Sequence, residues 1–433
     1  MEEFDVVCLG AGPCGESLAD RLKGSGLSLA VVENRLVGGE CPYWGCIPSK
    51  TMIRSAETLA EAGRARNLAA SRVDWTVDFP KVSKRVHWMA RDLDDANAAK
   101  ALEGNGARLF RATAVYRGDR QVELDSGERL RARRAVVIAT GTRPAVPPLA
   151  GLDQVARWTN REAVLAETLP ESLAVVGGGA VGVELAQAFA RLGSRVTVHQ
   201  AMARLVHLEE PEAGDILGEA FAAEGIQVRA NAHLDRAPEA EVVLLATGRT
   251  PNTDGFEIAK DQRGFVTVDR NTLEAPEAGV FAGGDVNGIY GFTHVSWYHG
   301  QVIGRRLRGE SVRADHESIP RVTFTDPEIA SVGLTEAQAR ERGLEVRTAV
   351  ADAALTGRGY IHDLKKGLVK LVADRRAGVL VGATIVSPRA GEMLGEMALA
   401  IKARVPLSVL NDTVHGFPTF SRVLQGLFAE LVA

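Results

Sequence analysis

A chain of 433 residues is longer than one hydrophobic core normally organises, so two or three domains are expected. Its 45% hydrophobic and 24% charged residues are those of a folded globular protein, and 45 glycines point to tight turns and backbone-lined nucleotide sites. A formal net charge of -4 gives no basic footprint for nucleic acid, and no apolar run approaches the roughly 18 residues of a membrane helix. Small molecules are the expected partners. Met1 leads into Glu2, Glu3, Phe4 and Asp5 without the charged and apolar regions of a secretory signal, which predicts a cytoplasmic location. Four cysteines there are no disulfide framework; a closely spaced pair reads as redox-active or metal-binding, and Cys8 and Cys14 as small buried side chains.

The run Asp5 to Leu9 enters Gly10-Ala11-Gly12-Pro13-Cys14-Gly15, and Leu18, Ala19 and Leu22 follow at helical spacing, so a strand, a glycine turn and a helix are predicted. A second strand, Leu29 to Val32, ends on Glu33, about 20 residues beyond the glycines, where a dinucleotide fold places an acid on a ribose. In this context Gly10, Gly12 and Gly15 let the backbone approach a pyrophosphate at the helix N-terminus. The unit recurs: Leu173 to Val176 enters Gly177-Gly178-Gly179-Ala180-Val181-Gly182, then a helix through Leu185 and Phe189, then Val196 to Val198. This second strand runs out at His199 and Gln200 with no acid, removing both the usual partner of NAD and the charge that would repel a 2′-phosphate. NADPH is favoured, NADH stays open, and Arg204 is a candidate phosphate contact or a solvated side chain.

Arg134 to Gly141 and Val242 to Arg249 read as buried strands running into matching turns, a second sign of duplication, and Pro144 to Pro148 reads as a linker. After Val280 to Asp285 a helix is expected. From about Ile319 the pattern turns to alternating strands such as Leu368 to Val372. The resulting expectation is an α/β protein with two Rossmann-like dinucleotide-binding domains and a C-terminal α+β domain. Its boundaries are 1-149 for the FAD-type unit, 150-270 for the NAD(P)-type unit, 271-318 for a return segment of the first, and 319-433 for the last.

Between the first helix and the next lies Cys41-Pro42-Tyr43-Trp44-Gly45-Cys46, just ahead of a helix expected from Ser49 through Met52, Ile53 and Ala56. The turn formers Pro42 and Gly45 make a Cα separation of about 7 Å, the limit for a disulfide, attainable. A thiolate at a helix start is favoured by the dipole and by a cation such as Lys50. The alternatives are a structural disulfide, disfavoured in cytosol, or two buried thiols; no metal is expected, because no further Cys or His lies at ligand spacing.

The segment Gly38-Gly39-Glu40-Cys41 to Cys46-Ile47-Pro48-Ser49-Lys50 resembles the redox motif of the flavoprotein disulfide reductases, the family of glutathione reductase, dihydrolipoamide dehydrogenase and mercuric reductase. Both glycine motifs, both Ala-Thr-Gly turns, Gly283-Gly284-Asp285 and Arg321 to Gly333 extend the resemblance over essentially the whole chain. It implies a homodimer in which NAD(P)H reduces FAD, the flavin reduces a Cys41-Cys46 disulfide, and the dithiol reduces a small substrate. Cys46 would lie against the flavin and Cys41 would attack substrate. Lys50 and Glu184 would pair near the flavin N5, and Asp285 would hold the ribityl chain. The implied FAD contacts further include Pro13, Asn34, Gly39, Glu40, Ala114, Thr140, Gly141 and Thr293, and the implied nucleotide contacts include Val181, Gln200 and Gly248.

Three departures stand out. Only about a dozen residues separate Val228 from Val242, where relatives carry an extra hairpin. Where relatives place a histidine, followed five residues on by a glutamate, as the acid-base dyad reaching across the dimer, this chain has Phe417-Pro418-Thr419 and Arg422. General acid-base help is worth roughly 10²- to 10⁴-fold, so an ordinary disulfide, with a leaving thiol of pKa about 8.5, should be cleaved slowly. His415 is a candidate substitute or a packing residue, and Arg422 a candidate anion contact or a solvated one. A phenylalanine there also resembles the carboxylating relative that acts on 2-ketopropyl coenzyme M, so carbon-sulfur cleavage or quinone reduction is an alternative, and an FAD redox sensor that does not turn over is a second. Finally, no terminal cysteine pair follows Leu431, which argues against a mercuric reductase or a long-type thioredoxin reductase.

Overall fold

The computed structural model describes residues 1–433. Two compact units share the chain, the first made of Met1–Ser49, Lys84–Ala145 and Gly248–Asp315, the second of Lys50–Ser83, Val146–Thr247 and His316–Ala433.

In the first unit the strand Glu2–Leu9 buries Val6, Val7, Cys8 and Leu9 alike, as a strand covered on both faces must. It pairs in parallel with Leu29–Glu33 on one side and with Arg129–Ile138 on the other, and Ala107–Arg111 extends the sheet beyond Leu29–Glu33. Arg129–Ile138 is antiparallel to Gln121–Leu124 at its start and parallel to Val280–Ala282 at its end, so one long strand carries both a meander and a crossover return. The turn into helix Pro13–Leu22 depends on glycine. Gly10 has φ +108°, and a Cβ on it would meet the Ala139 carbonyl oxygen at 2.3 Å. Helix Thr293–Leu307 lies against helix Pro13–Leu22 so closely that a Cβ on Gly300 would stand 2.4 Å from the Cys14 carbonyl oxygen. The two buried cysteines, Cys8 and Cys14, are core residues, as the sequence suggests, and burial pushes the Cys14 thiol up to about 12.

The second unit holds two sheets. The parallel one runs in the order Gln227–Arg229, Arg195–His199, Ser172–Val176, Val242–Leu245, Ala156–Trp158. Residues 230–241, which join its edge strand to a central one, contain no strand. The antiparallel sheet runs Pro320–Thr323, Glu328–Gly333, Val379–Ser387, Leu368–Asp374, Val346–Ala351. Helix Ala390–Lys402 lays Met393, Leu394, Met397 and Ile401 on this sheet, and Leu424, Leu427, Phe428 and Leu431 of helix Val423–Val432 complete the core. The architecture is the expected one, two Rossmann-like folds and a C-terminal α+β fold. No helix is long and apolar enough to cross a membrane.

Candidate functional site

The glycine turn of the first unit ends on Gly12, the N-cap of helix Pro13–Leu22, which has no side-chain cap, so the first-turn amides remain free for an anion. Pro13 occupies the first helical position, where its missing N–H costs nothing. Gly15 is required by closeness, since its Cβ would lie 2.2 Å from the Gly10 carbonyl oxygen. Glu33 ends its strand over this turn: Oε2 accepts from the Ala11 amide at 2.8 Å and Oε1 from the Arg35 amide at 2.8 Å, with Asn34 exposed beside it. Uncapped amides, an open glycine path and a fixed carboxylate fit an adenosine pyrophosphate and its ribose.

Further residues of the same unit converge on Asp285. Thr142 donates to Asp285 Oδ2 at 3.1 Å, and Ser296 to Oδ1 at 3.3 Å. Arg249 donates from Nε to Thr142 Oγ1 at 2.6 Å and from Nη2 to Glu40 Oε2 at 2.5 Å, so one guanidinium links Glu40 to the Asp285 network. Burial raises the Glu40 pKa, and Arg249 opposes that shift. Thr140 and Gly141 are held by Asn252, whose Nδ2 donates to the Thr140 carbonyl at 2.9 Å and whose amide donates to the Gly141 carbonyl at 3.0 Å. Gly39, with φ +68°, is the N-cap of the short helix Glu40–Tyr43, and Ala114 opens the strand Ala114–Tyr116. Thr142, Ser296 and Asn252 carry no motif of their own and lie outside the segments that the sequence reading singles out.

Cys41 and Cys46 are both half-buried thiols in this structure, hydrogen-bonded to each other, and Thr293 Oγ1 lies 3.3 Å from Cys46 Sγ. The helix begins at Cys46 itself and runs Cys46–Leu68, three residues earlier than the sequence pattern suggests. The reason is that Pro48 falls within the first turn, whose N–H groups have no intrahelical acceptor, so proline does not end the helix there. Cys46 therefore sits at the positive end of the helix dipole, which favours negative charge on its sulfur. The hydrogen bond to Cys46, and burial after it, push the Cys41 thiol well up.

One turn along the same helix, Lys50 Nζ lies 2.6 Å from Glu184 Oε2. Glu184 faces inward from helix Ala180–Leu192, its other oxygen accepts from the Phe324 amide at 2.8 Å, and the Lys50 ammonium stands 4.9 Å from the centre of the Phe324 ring. A residue that would pass for a helix surface position is thus buried and paired. Behind it, Gln187 exchanges hydrogen bonds with the Asp326 backbone, and Arg191 pairs with the Asp326 carboxylate at 2.9 Å.

The second glycine turn repeats the first. Gly179 caps helix Ala180–Leu192 without a side-chain bond, a Cβ on Gly179 would stand in open space, and one on Gly182 would meet the Gly177 carbonyl oxygen at 2.0 Å. Val181 is exposed at the helix start, and Gly248, with φ +106°, follows the strand Val242–Leu245. Gln200 differs from Glu33 in conformation as well as charge. Its Oε1 accepts from the Gly178 amide at 3.4 Å, its Nε2 donates to the Arg204 carbonyl at 3.1 Å, and the side chain is buried. It presents no carboxylate, while the Arg204 guanidinium is exposed without an ion pair.

At the C-terminal end, Phe417 is 78% exposed. Arg422 is exposed and donates to Gln425 Oε1 at 2.5 Å. The His415 side chain is only 5% exposed, its Nε2 lies 3.0 Å from Glu396 Oε1, and its ring faces Phe428.

Residues 4–300 match the family model described as pyridine nucleotide-disulphide oxidoreductase, and residues 319–427 match the model of that family's dimerisation domain. The chain is 33% identical to a dihydrolipoyl dehydrogenase of Haloferax volcanii, covering 97% of this chain and 94% of the relative, and 32% identical to a mercuric reductase of Acidithiobacillus ferrooxidans, covering 98% and 82%. Among solved structures it superposes on the HOCl-induced flavoprotein disulfide reductase RclA of Escherichia coli with a TM-score of 0.86 at 26% identity, covering 98% and 99% of the two chains. LpdA of Mycobacterium tuberculosis gives 0.88 at 25% identity, with both chains covered completely.

Proposed function

The chain belongs to the pyridine nucleotide-disulphide oxidoreductase family, a family of NAD(P)H-dependent flavoenzymes acting on sulfur groups, and from that premise we propose that it reduces small disulfides whose leaving thiols are weakly basic. The observation that carries this reading is the pairing of an intact thiol centre, Cys41 and Cys46 at a helix start, with Phe417 and a buried His415 where an acid-base histidine would be needed.

The Gly10 to Gly15 turn, Glu33 and the Asp285 network would hold FAD, which when bound would supply electron transfer from NAD(P)H to the cysteine pair. On this reading the Cys41 sulfur attacks one sulfur of the substrate disulfide, forming a mixed disulfide and expelling the first thiolate. Cys46 then attacks the Cys41 sulfur, expels the second thiolate and leaves the Cys41-Cys46 disulfide, which two electrons reduce again. No side chain in this scheme protonates either departing sulfur. Its basicity therefore sets the rate. The bare amides at Gly179, the absence of an acid at Gln200 and the exposed Arg204 support NADPH as the donor, with Lys50 and Glu184 as a fixed ion pair of the flavin centre. Homodimer formation is supported by the apolar side chains exposed on the dimerisation domain, Val414, Phe417, Leu355, Tyr360 and Leu399.

The test is an anaerobic NADPH titration of the purified protein. A long-wavelength charge-transfer band that disappears in Cys46→Ser is expected; a protein that binds no FAD, or shows no such band, would refute the reading.

A further inference from the structure

Helix Thr293–Leu307 carries three polar side chains on successive turns, Thr293, Ser296 and His299. Thr293 touches Cys46, and Ser296 donates to Asp285 Oδ1. His299 is fully buried and is not used by the dithiol scheme. Its Nδ1 lies 3.0 Å from the Gly284 amide, which can only donate, so that nitrogen carries a lone pair and the ring proton sits on Nε2. Asn287 points to the same assignment. Its Oδ1 accepts from the Ile289 amide at 3.0 Å, which leaves Nδ2 to donate to the Ala282 carbonyl at 3.0 Å and toward His299 Nδ1 at 3.4 Å. Two donors face one ring nitrogen.

The backbone between these donors is the turn that presents Asp285. Gly284, with φ +79°, is the N-cap of the short helical turn Asp285–Asn287, and a Cβ on it would stand 2.9 Å from Ser296 Oγ. The two glycine amides are tied down in succession, Gly283 to the Ile138 carbonyl at 3.0 Å and Gly284 to His299. Without the imidazole acceptor the Gly284 amide would be a buried donor with its bond unmade, and the turn would move to satisfy it.

We propose that His299, neutral and protonated on Nε2, is a positioning residue of the flavin site: its Nδ1 lone pair holds the Gly284 amide and so aims the Asp285 carboxylate. The inference rests on the reading of Asp285 as an FAD contact. His299 acts through the turn and is not a catalytic residue.

Two replacements separate an acceptor from a space-filler. Asparagine puts an amide oxygen where Nδ1 stands but lacks the rest of the ring; leucine keeps more of the bulk and accepts nothing. The rate at which FAD leaves the holoenzyme, followed by ultrafiltration, is expected to rise about tenfold or more in His299→Leu and to stay within about threefold of wild type in His299→Asn. Unchanged release from His299→Leu overturns the proposal, as does release from His299→Asn that is as fast as from His299→Leu. Asp285→Ala tests the underlying reading by itself. It should also speed release, and adding His299→Leu to it should change little more, because both act on one contact. If Asp285→Ala leaves release unchanged, the reading of Asp285 fails and takes the proposal with it. If Asp285→Ala speeds release but His299→Leu does not, or the two effects are fully additive, the proposal alone fails. Should the leucine variant not fold, the wild-type holoenzyme still decides. ¹⁵N-histidine NMR is expected to show a bare Nδ1 and a protonated Nε2 for the resonances that His299→Asn removes, and a proton on Nδ1 sinks the proposal.

Discussion

The segment Gly38 to Lys50 and the segment Val414 to Arg422 differ in how their side chains are partnered. In the first, each reactive side chain has a defined partner: Cys41 and Cys46 bond to each other, Thr293 touches Cys46, and Lys50 is paired with Glu184. In the second, Phe417 is an exposed phenyl ring, and the nearest histidine, His415, is turned inward onto Glu396. On the proposed reading, reduction of the cysteine pair and protonation of the leaving group are separable tasks, and this chain is equipped for the first alone.

The comparison can be broken most decisively at the thiols. Replacing Cys46 by Ser should lower NADPH-dependent disulfide reduction by more than about 10³-fold while bound FAD is retained; steady-state turnover beside the flavin absorbance checks both parts, and retained turnover would mean that the pair is not the centre. At the other segment the change should run the opposite way. Phe417→His is expected to raise the turnover of glutathione disulfide, up to the lower end of the roughly 10²-fold that general acids contribute, and to do little for activated disulfides.

Smaller effects sharpen the contrast in the supporting structure. Glu184→Gln removes the charge opposite Lys50 and weakens the contact to the Phe324 amide, and should cost about 1–3 kcal/mol, a discounted figure because Lys50 is 34% exposed. Thermal unfolding and the rate of flavin reduction should fall together. Gly182→Ala places a methyl group 2.0 Å from the Gly177 carbonyl oxygen and should lower stability by about 1–3 kcal/mol and weaken NADPH binding, while FAD stays bound. The smallest effect is expected from pH. Burial raises the Asp326 pKa, but Arg191 and Arg64 outweigh burial and hold it below the ordinary value. A depressed carboxylate stabilises the fold above its unfolded pKa of about 3.9 and stops doing so as pH falls through the folded value. Unfolding midpoints should therefore be flat above about pH 5 and decline in stronger acid, with a shallower decline in Asp326→Asn.

Much of this was legible in the chain because some positions admit one residue type. Gly10, Gly15, Gly177 and Gly182 sit where a Cβ would strike a carbonyl oxygen, so the turns announce themselves, and the buried strands announce themselves as unbroken apolar runs. Side-chain direction was not legible. Nothing in the sequence turns Gln200 inward onto the Gly178 amide or His415 onto Glu396, since both depend on neighbours brought up by other elements. The bond from Arg249 to Glu40 spans 209 positions and has no local signal. Pro48 misdirects, because a proline in a first turn looks like a break until the helix is seen to begin before it.

The most direct measurement compares activated and ordinary disulfides under one set of conditions. Steady-state NADPH oxidation by the wild-type holoenzyme should be brisk with 5,5′-dithiobis(2-nitrobenzoate) and slow, by about 10²-fold or more, with glutathione disulfide and lipoamide. Comparable turnover of all three would contradict the account, because it would require a proton donor that Phe417 and the buried His415 do not provide.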